Sequence, residues 1–329
     1  MVRGIPGRLR RGALVVLPRG YPSAGLSSLE VLFSSHPEPD ASSLRAARRA
    51  LDFFADFGPE DVILCLISGG TSSLLAMPRP GLTLAAKRRA VRQLMRAGAS
   101  IMEINRLRKS LSAVKGGKLG RRTSARLVTL VLSDVPGDRP ALVGSGPTVR
   151  GGRGDVTLVV GSNRMGLEAA AREARRLGLR PQIRRRRLSG EAREAGKRFA
   201  RSASKLEPGQ VLLAGGETTV TLEGRPGRGG RNLEFILGAA LVLEGSRGVT
   251  ALAAGSDGID GSSRAAGAFA DGETLARSRR RGLDASRALE RHDTEAFFER
   301  LGLLLVTGPT GTNVTDWAMA IREPGSGIR

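Results

Sequence analysis

The stretch Val62-Ile63-Leu64-Cys65-Leu66-Ile67, which runs directly into Ser68-Gly69-Gly70-Thr71-Ser72-Ser73, sets the fold. Six apolar residues bounded by a glycine turn read as a strand buried on both faces, the pattern of a parallel sheet. Six further runs end in similar turns, at 13–17, 127–132, 156–160, 211–214, 250–254 and 303–307. Helical stretches separate them, at 43–57, 84–97, 164–177, 191–202, 233–243 and 263–281. In the first of these Leu44, Ala47, Leu51 and Phe54 share one helical face, behind Asp40 and Ser42 as candidate caps. Strands alternating with helices imply βαβ units with right-handed crossovers. At 329 residues the chain exceeds what one core of ~250–300 residues holds. The expected fold is α/β, with two doubly wound, Rossmann-like domains of mostly parallel sheets and a cleft between them. The glycine-rich polar stretch Arg150-Gly151-Gly152-Arg153-Gly154-Asp155 marks the break, giving domains 1–150 and 155–329.

With 53 Lys and Arg against 31 Asp and Glu, the net charge of +22 suits an anionic partner: nucleic acid, a membrane surface or a phosphorylated metabolite. Aromatic residues, at 3%, are too few for single-strand stacking platforms, and no zinc-finger spacing or RNP-like run occurs, so nucleic acid is disfavoured. The arginine clusters at 45–49, 184–187 and 279–281 read as a solvated surface. Nothing approaches a membrane span, and the run at 13–17 is too short for a signal segment, so a cytoplasmic protein without a membrane partner is expected. The one cysteine, Cys65, lies inside an apolar run, where it packs as a small hydrophobe.

In doubly wound sheets ligands bind beyond the carboxyl ends of the strands, so the turns there are where chemistry belongs. Those turns carry Ser68, Gly69 and Gly70, Asp134, Glu217, Asp257 and Asp260, and Thr310 and Asn313. The richest is Gly229-Gly230-Arg231-Asn232, where a glycine turn opening a helix leaves backbone N–H groups to hold an anion and the helix dipole adds to the attraction. No turn matches the P-loop spacing, the dinucleotide fingerprint or the Gly-x-Ser-x-Gly elbow. Two histidines and one cysteine exclude a His/Cys metal cluster. What remains is Lys109, Lys115, Arg231, Asp134, Glu217, Asp257 and Asp260. That set suffices for phosphoryl transfer, in which glycine turns hold phosphates, cations offset the charge in flight, and carboxylates hold Mg²⁺ and the attacking hydroxyl. Plainer readings stand beside it: Asp257 and Asp260 as turn caps, and Lys109 as a solvated helix residue.

Nine strings taken together resemble the glycerate 2-kinase family, whose C-terminal half is the MOFRL domain, here about 208–321. They are HPEPD (36–40), LISGGTSSLL (66–75), EINRLRKSLSAVKGGKLG (103–120), VLSDVPGD (131–138), SGPTV (145–149), GGETTV (215–220), GRGGRNLEF (227–235), AAGSDGIDGSSRAAGAFAD (253–271) and VTGPTGTNVTD (306–316). Their order, and their extent from about residue 11 to 321, make the likeness specific. The resemblance implies ATP-dependent phosphorylation of D-glycerate at its 2-hydroxyl, with Mg²⁺. It implies Arg231, Asp257 and Lys109 as catalytic residues, and Asp257 with Asp260 for the metal. On the nucleotide side it implies Ser68, Gly69, Gly70, Lys115, Gly116, Gly117, Asp134, Glu217, Gly229, Gly230, Asn232, Thr310 and Asn313. Glycerate and a nucleotide are then the partners, and a homodimer is compatible.

Two features depart from the family pattern. Family members begin with a further helix and βα unit bearing a Gly-Lys-Ala turn whose lysine is thought to act in catalysis, and this sequence starts after it. The expectation is apolar sheet surface left uncovered and weak phosphotransfer. Between Val149 and Val156, a glycine-rich stretch replaces a helical segment. Two alternatives stay open: a hydroxypyruvate reductase, against which the missing dinucleotide fingerprint argues, and a basic nucleic-acid-binding protein, which rests on charge alone.

Overall fold

The structure of the protein, a computed structural model, describes residues 12–324 apart from 22, 24, 153 and 223; residue 11, where the family likeness begins, lies outside them. The chain divides into two compact units, one ending at Val160 and the other beginning at Gly161. Among the described residues the strands form three sheets.

The first unit contains β1 (Leu14–Pro18), β2 (Glu30–Ser34), α1 (Ala41–Ala55), β3 (Val62–Ile67), α2 (Thr71–Leu74), α3 (Leu84–Arg96), α4 (Ile101–Ser110), β4 (Arg126–Ser133) and β5 (Val156–Ser162), whose last two residues fall in the second unit. β1 pairs in parallel with β2; β3 pairs in parallel with β4, in a sheet ordered β3-β4-β5. Asp40 caps α1, its Oδ1 accepting the Ser42 N–H at 2.7 Å while Ser43 Oγ accepts the Asp40 N–H at 3.2 Å. Ala46, Ala47, Ala50 and Phe54 of α1 then bury against Ile63, Cys65 and Leu127. Burial there pushes the Cys65 thiol up to about 12, so it stays the inert apolar filler its setting suggests.

The other face of this sheet is bare. Val62 is 60% exposed and Leu158 52%, and Leu64, Leu66 and Val160 are exposed with them. These runs are therefore buried on one face, not on two as their continuous apolarity suggests. The glycine-rich stretch at 150–155, whose residue 153 lies outside the described residues, is fastened to this unit. Arg150 donates to the carbonyls of Gly120, Thr123 and Ala125 at 2.6–2.7 Å, and pairs with Asp155 at 2.8 Å.

The second unit continues with α5 (Asn163–Arg176), β6 (Arg180–Ile183), α6 (Ala192–Ala203), β7 (Gln210–Gly216), α7 (Arg231–Leu243), β8 (Val249–Gly255), β9 (Gly267–Asp271), α8 (Thr274–Arg280), α9 (Ala285–Glu290), α10 (Thr294–Leu301), β10 (Leu304–Leu305) and β11 (Asp316–Arg322). Its sheet has the order β10-β9-β8-β11-β7-β6. β6, β7, β8 and β10 run one way, and β9 and β11 run against them. Four of the five neighbouring pairs in this sheet are therefore antiparallel and β6 with β7 is parallel, whereas β1 with β2 and β3 with β4 of the first unit pair in parallel. Along β7 and β11 alternate residues face opposite layers: Val211, Leu213, Trp317 and Met319 meet α5, while Leu212, Ala214, Ala318 and Ala320 join the core around α6 and α7.

Helix α7 is buried almost along its whole length and lies against α6 on glycine and alanine. A Cβ on Gly196 would overlap the Phe235 carbonyl, and one on Gly238 would overlap that of Arg193. Small residues at such a crossing let the two backbones meet, and Phe199 and Phe235 fill the flanks.

The stretch at 263–281, expected to be helical, divides into β9 and α8. Its alanines favour a helix by propensity, but pairing with β8 from Thr250 opposite Asp271 to Ala254 opposite Gly267 prevails. Gly196→Ala is expected to cost about 1–3 kcal/mol by forcing α6 and α7 apart, read as a lower urea midpoint with an unchanged m-value.

Candidate functional site

In the second unit β7 and β8 run the same way and end at Gly216 and Gly255, and β11 lies between them in the opposite sense. Its first residue, Asp316, is therefore in register with both. That arrangement places a carboxylate, 3% exposed, at the carboxyl ends of two strands. α7 begins at the same point. Arg231 Nε lies 2.6 Å from Asp316 Oδ2, Nη2 donates to Asp316 Oδ1 at 3.1 Å, and Nη1 donates to Glu217 Oε1 at 2.6 Å. Burial works against the Arg231 charge but is outweighed by Asp316 and then Glu217, so its pKa lies above the ordinary value. A guanidinium gripped along its Nε–Nη2 edge presents its remaining N–H groups in a fixed fork.

The turn 229–232 holds an anion, and that anion is the protein's own. Asp260 Oδ1 accepts from the Asn232 N–H at 3.0 Å and from Asn232 Nδ2 at 3.2 Å, and Asp260 Oδ2 accepts from the Leu233 N–H at 2.8 Å. Gly230 is glycine because a Cβ there would sit 2.5 Å from the Asp260 Cγ, and the Gly229 N–H donates to Ser262 Oγ at 3.1 Å. The expected open nest is closed, and Asp260, a sequence candidate for the metal, has both oxygens engaged as the cap of α7. Burial pushes its pKa up to about 6, against the N–H groups of Asn232 and Leu233, which favour the charge.

Asp257 follows β8 and is half-buried. Its Oδ1 accepts from the Ile259 N–H at 3.2 Å, its Oδ2 from Asn313 Nδ2 at 3.3 Å, and its carbonyl from the Thr310 N–H at 3.0 Å. Thr310 Oγ1 also donates to the Ser256 carbonyl at 2.6 Å. The fold therefore gathers Arg231, Asn232, Glu217, Asp257, Asp260, Thr310 and Asn313 through shared contacts around the ends of β7, β8 and β11.

In the first unit a Cβ on Gly69 would overlap the Asp134 carboxylate, so those two candidates touch; Ser68 is exposed. Gly70, with φ +82°, lies under the His36 ring. Ser73 Oγ donates to the Gly70 carbonyl at 2.9 Å and lies 2.7 Å from His36 Nδ1. Gly116 and Gly117 donate to the carbonyls of Ser145 and Gly146 at 2.9 and 2.7 Å, so their N–H groups pack the chain and do not cradle a ligand, as was expected of them. Lys109 packs its stem over Gly116. Lys115 is 3% exposed, and its Nζ donates to the Ser72 carbonyl and Oγ at 2.6 and 2.5 Å. It lines a cavity of about 420 Å³ that His36, Gly70, Ser72, Lys87 and Arg108 also line.

Sequence reasoning did not single out Asp316, His36, Lys87 or Arg108. Asp316 and His36 lie inside strings that were legible, whereas Lys87 and Arg108 look like any basic residue of a solvated helix. Among the described residues, no group of three or more His, Cys, Asp and Glu is placed to hold a metal, and no helix is long and apolar enough to cross a membrane.

A family model described as "Domain of unknown function (DUF4147)" matches residues 1–175, and the MOFRL family model matches 210–316. The chain is 41% identical over 347 residues to an Agrobacterium vitis protein provisionally named hydroxypyruvate reductase, covering 92% of this chain and 90% of that one. It is 35% identical over 352 residues to the D-glycerate 2-kinase of Thermotoga maritima, covering 94% and 84%. The crystal structure of glycerate kinase from Thermotoga maritima superposes with a TM-score of 0.88 at 33% identity, over 96% of this chain and 86% of that one.

The raised pKa of Asp260 sets a pH dependence. Its folded value of about 6 exceeds the ordinary 3.8, so the folded state binds the extra proton between them, and the contribution of this group to stability falls as pH rises from about 4 through 6. Asp260→Asn is expected to flatten that slope in chemical denaturation measured across this range.

Proposed function

We propose, because the chain belongs to the glycerate 2-kinase (MOFRL) family, that it transfers the γ-phosphate of ATP to the 2-hydroxyl of D-glycerate, giving 2-phosphoglycerate. The observation that carries this reading is Arg231, a cation at the head of a buried helix whose guanidinium is aimed by Asp316 and Glu217. Phosphoryl transfer asks of the protein mainly position and charge, and a pre-set fork beside strand-end turns supplies both. The name and extent of the Thermotoga maritima relative support the substrate.

In this reading Arg231 meets the charge on the transferred group. Mg²⁺ in such sites is commonly held by one or two carboxylates together with the phosphates, and when bound it neutralises charge on them. Asp257 fits that need, with only single, long contacts of 3.2 and 3.3 Å on its oxygens, whereas Asp260 is committed to its helix. Glu217, 54% exposed, is the partner of Arg231 that yields most readily to an incoming phosphate. A cytoplasmic enzyme using a nucleotide and glycerate completes the reading; light scattering decides whether it forms a homodimer.

The reductase name of the Agrobacterium vitis relative supplies the competing reading, and the absent dinucleotide fingerprint weighs against it. Formation of ADP that depends on D-glycerate, with no NADH oxidation on hydroxypyruvate, is the expected result; the reverse pattern would overturn the kinase reading. Arg231→Lys keeps a cation against the buried Asp316 but loses the fork. It is expected to lower turnover by about 10²-fold with a near-native melting curve. An unchanged rate would remove Arg231 from the reaction.

A further inference from the structure

Lys87, on α3, is 6% exposed, and among the described residues its Nζ is buried with no hydrogen-bond partner. A lysine is rarely buried without one, because an uncompensated ammonium out of water is costly. Lys87 lines the 420 Å³ cavity of the first unit together with Arg88, Arg92, Arg108 and Lys115. The acidic residue of that lining, Glu38, is paired with Arg88. Among the described residues, Lys115 has the neutral oxygens of Ser72 as the partners of its Nζ. Leu84, Val91 and Met95 provide apolar wall. A cavity of this size takes a small molecule, and its surplus of buried positive charge lacks the anion that would offset it.

We propose that this cavity binds a small molecule through an oxyanion, a carboxylate or a phosphate, seated against the ammonium groups of Lys87 and Lys115, with Lys87 contacting it directly. Gly70 and Lys115 of this lining are residues that the family likeness puts on the nucleotide side, so the proposal rests on that reading and extends it with Lys87 as a direct contact.

The protonation of the two lysines agrees with this. Burial, then the nearby Lys87 and Arg108, lowers the Lys115 pKa to about 6; burial, then Lys118 and Arg108, lowers that of Lys87 to about 8. An anion between them favours the charged forms, so its binding between about pH 6 and 10 takes up protons. The other charged or titratable groups facing these amines are His36, Glu38, Arg88, Arg92, Arg108 and Lys118.

Calorimetric titration of the full chain near pH 8 tests this, with D-glycerate, ADP and pyrophosphate as separate probes in two buffers of different ionisation enthalpy. At least one probe is expected to bind with proton uptake. Lys87→Met is expected to weaken it at least tenfold, to reduce the uptake, and to raise the melting temperature, since an apolar side chain then replaces a buried unpaired charge. Lys87→Gln, a second variant in case the first folds poorly, should weaken the same probe. Binding of D-glycerate alone identifies a carboxylate and binding of ADP or pyrophosphate alone a phosphate, and either supports the site where the Lys87 variants weaken it. No binding by any probe, or unchanged affinity in both variants, overturns it. Binding without glycerate-dependent ADP formation would leave the site standing while the kinase reading fell.

Discussion

Hydrogen bonds from the first turn of α7 to the carboxylate of Asp260 determine where a helix with almost no exposed face begins. A helix buried on nearly every side has no solvent-facing polar stripe to orient it, so its ends and its closest crossing must do so. The crossing is set by Gly196 and Gly238, which allow α6 and α7 only one depth of approach. The start is set by Asp260. Arg231, the first residue of α7, then has one place to be, and β11 brings Asp316 to it from between two strands that run the other way. Backbone geometry, more than side-chain choice, aims the guanidinium.

The two halves treat positive charge in opposite ways. Arg231 is matched by two carboxylates, which fix its direction. Among the described residues Lys87 is buried without a hydrogen-bond partner and Lys115 meets the oxygens of Ser72, while the Glu38 carboxylate of the same cavity is taken by Arg88. A paired cation is a rigid donor, whereas a buried cation without a counter-ion is poised for a ligand, and it lowers the stability of the empty protein for the sake of what it binds.

Much of this was legible in the sequence. Six of the seven apolar runs are strands over most of their length, because glycine turns punctuate them, and the run at 303–307 is a strand at Leu304–Leu305. β11 escaped notice because Ala318, Met319 and Ala320 dilute the strand preference of Trp317 and Ile321, and their position between β7 and β8 makes them a strand. The turn at Gly229 and Gly230 reads as a place for an anion, and the backbone N–H groups that follow it, of Asn232 and Leu233, are occupied by a carboxylate of the chain itself. That the anion is Asp260, roughly thirty residues on, is a fact of tertiary contact that no local pattern encodes. Lys87 was invisible for the same reason: Arg88 and Arg92 of α3 line the same cavity, and what distinguishes Lys87 is its burial there without a partner among the described residues.

The sheet of β3, β4 and β5 carries Val62, Leu64, Leu66, Leu158 and Val160 on its bare face, and the chain as a whole carries a net charge of +22. Those two features oppose one another in solution. Like charge keeps molecules apart at low ionic strength, and the Debye length falls to about 8 Å at physiological salt, where repulsion no longer reaches far beyond the surface. Sulfate and similar excluded salts act in the same direction by strengthening apolar association. The colloidal behaviour of this protein is thus governed by the balance between one uncovered sheet face and an arginine-rich coat, and ionic strength is the variable that tips it.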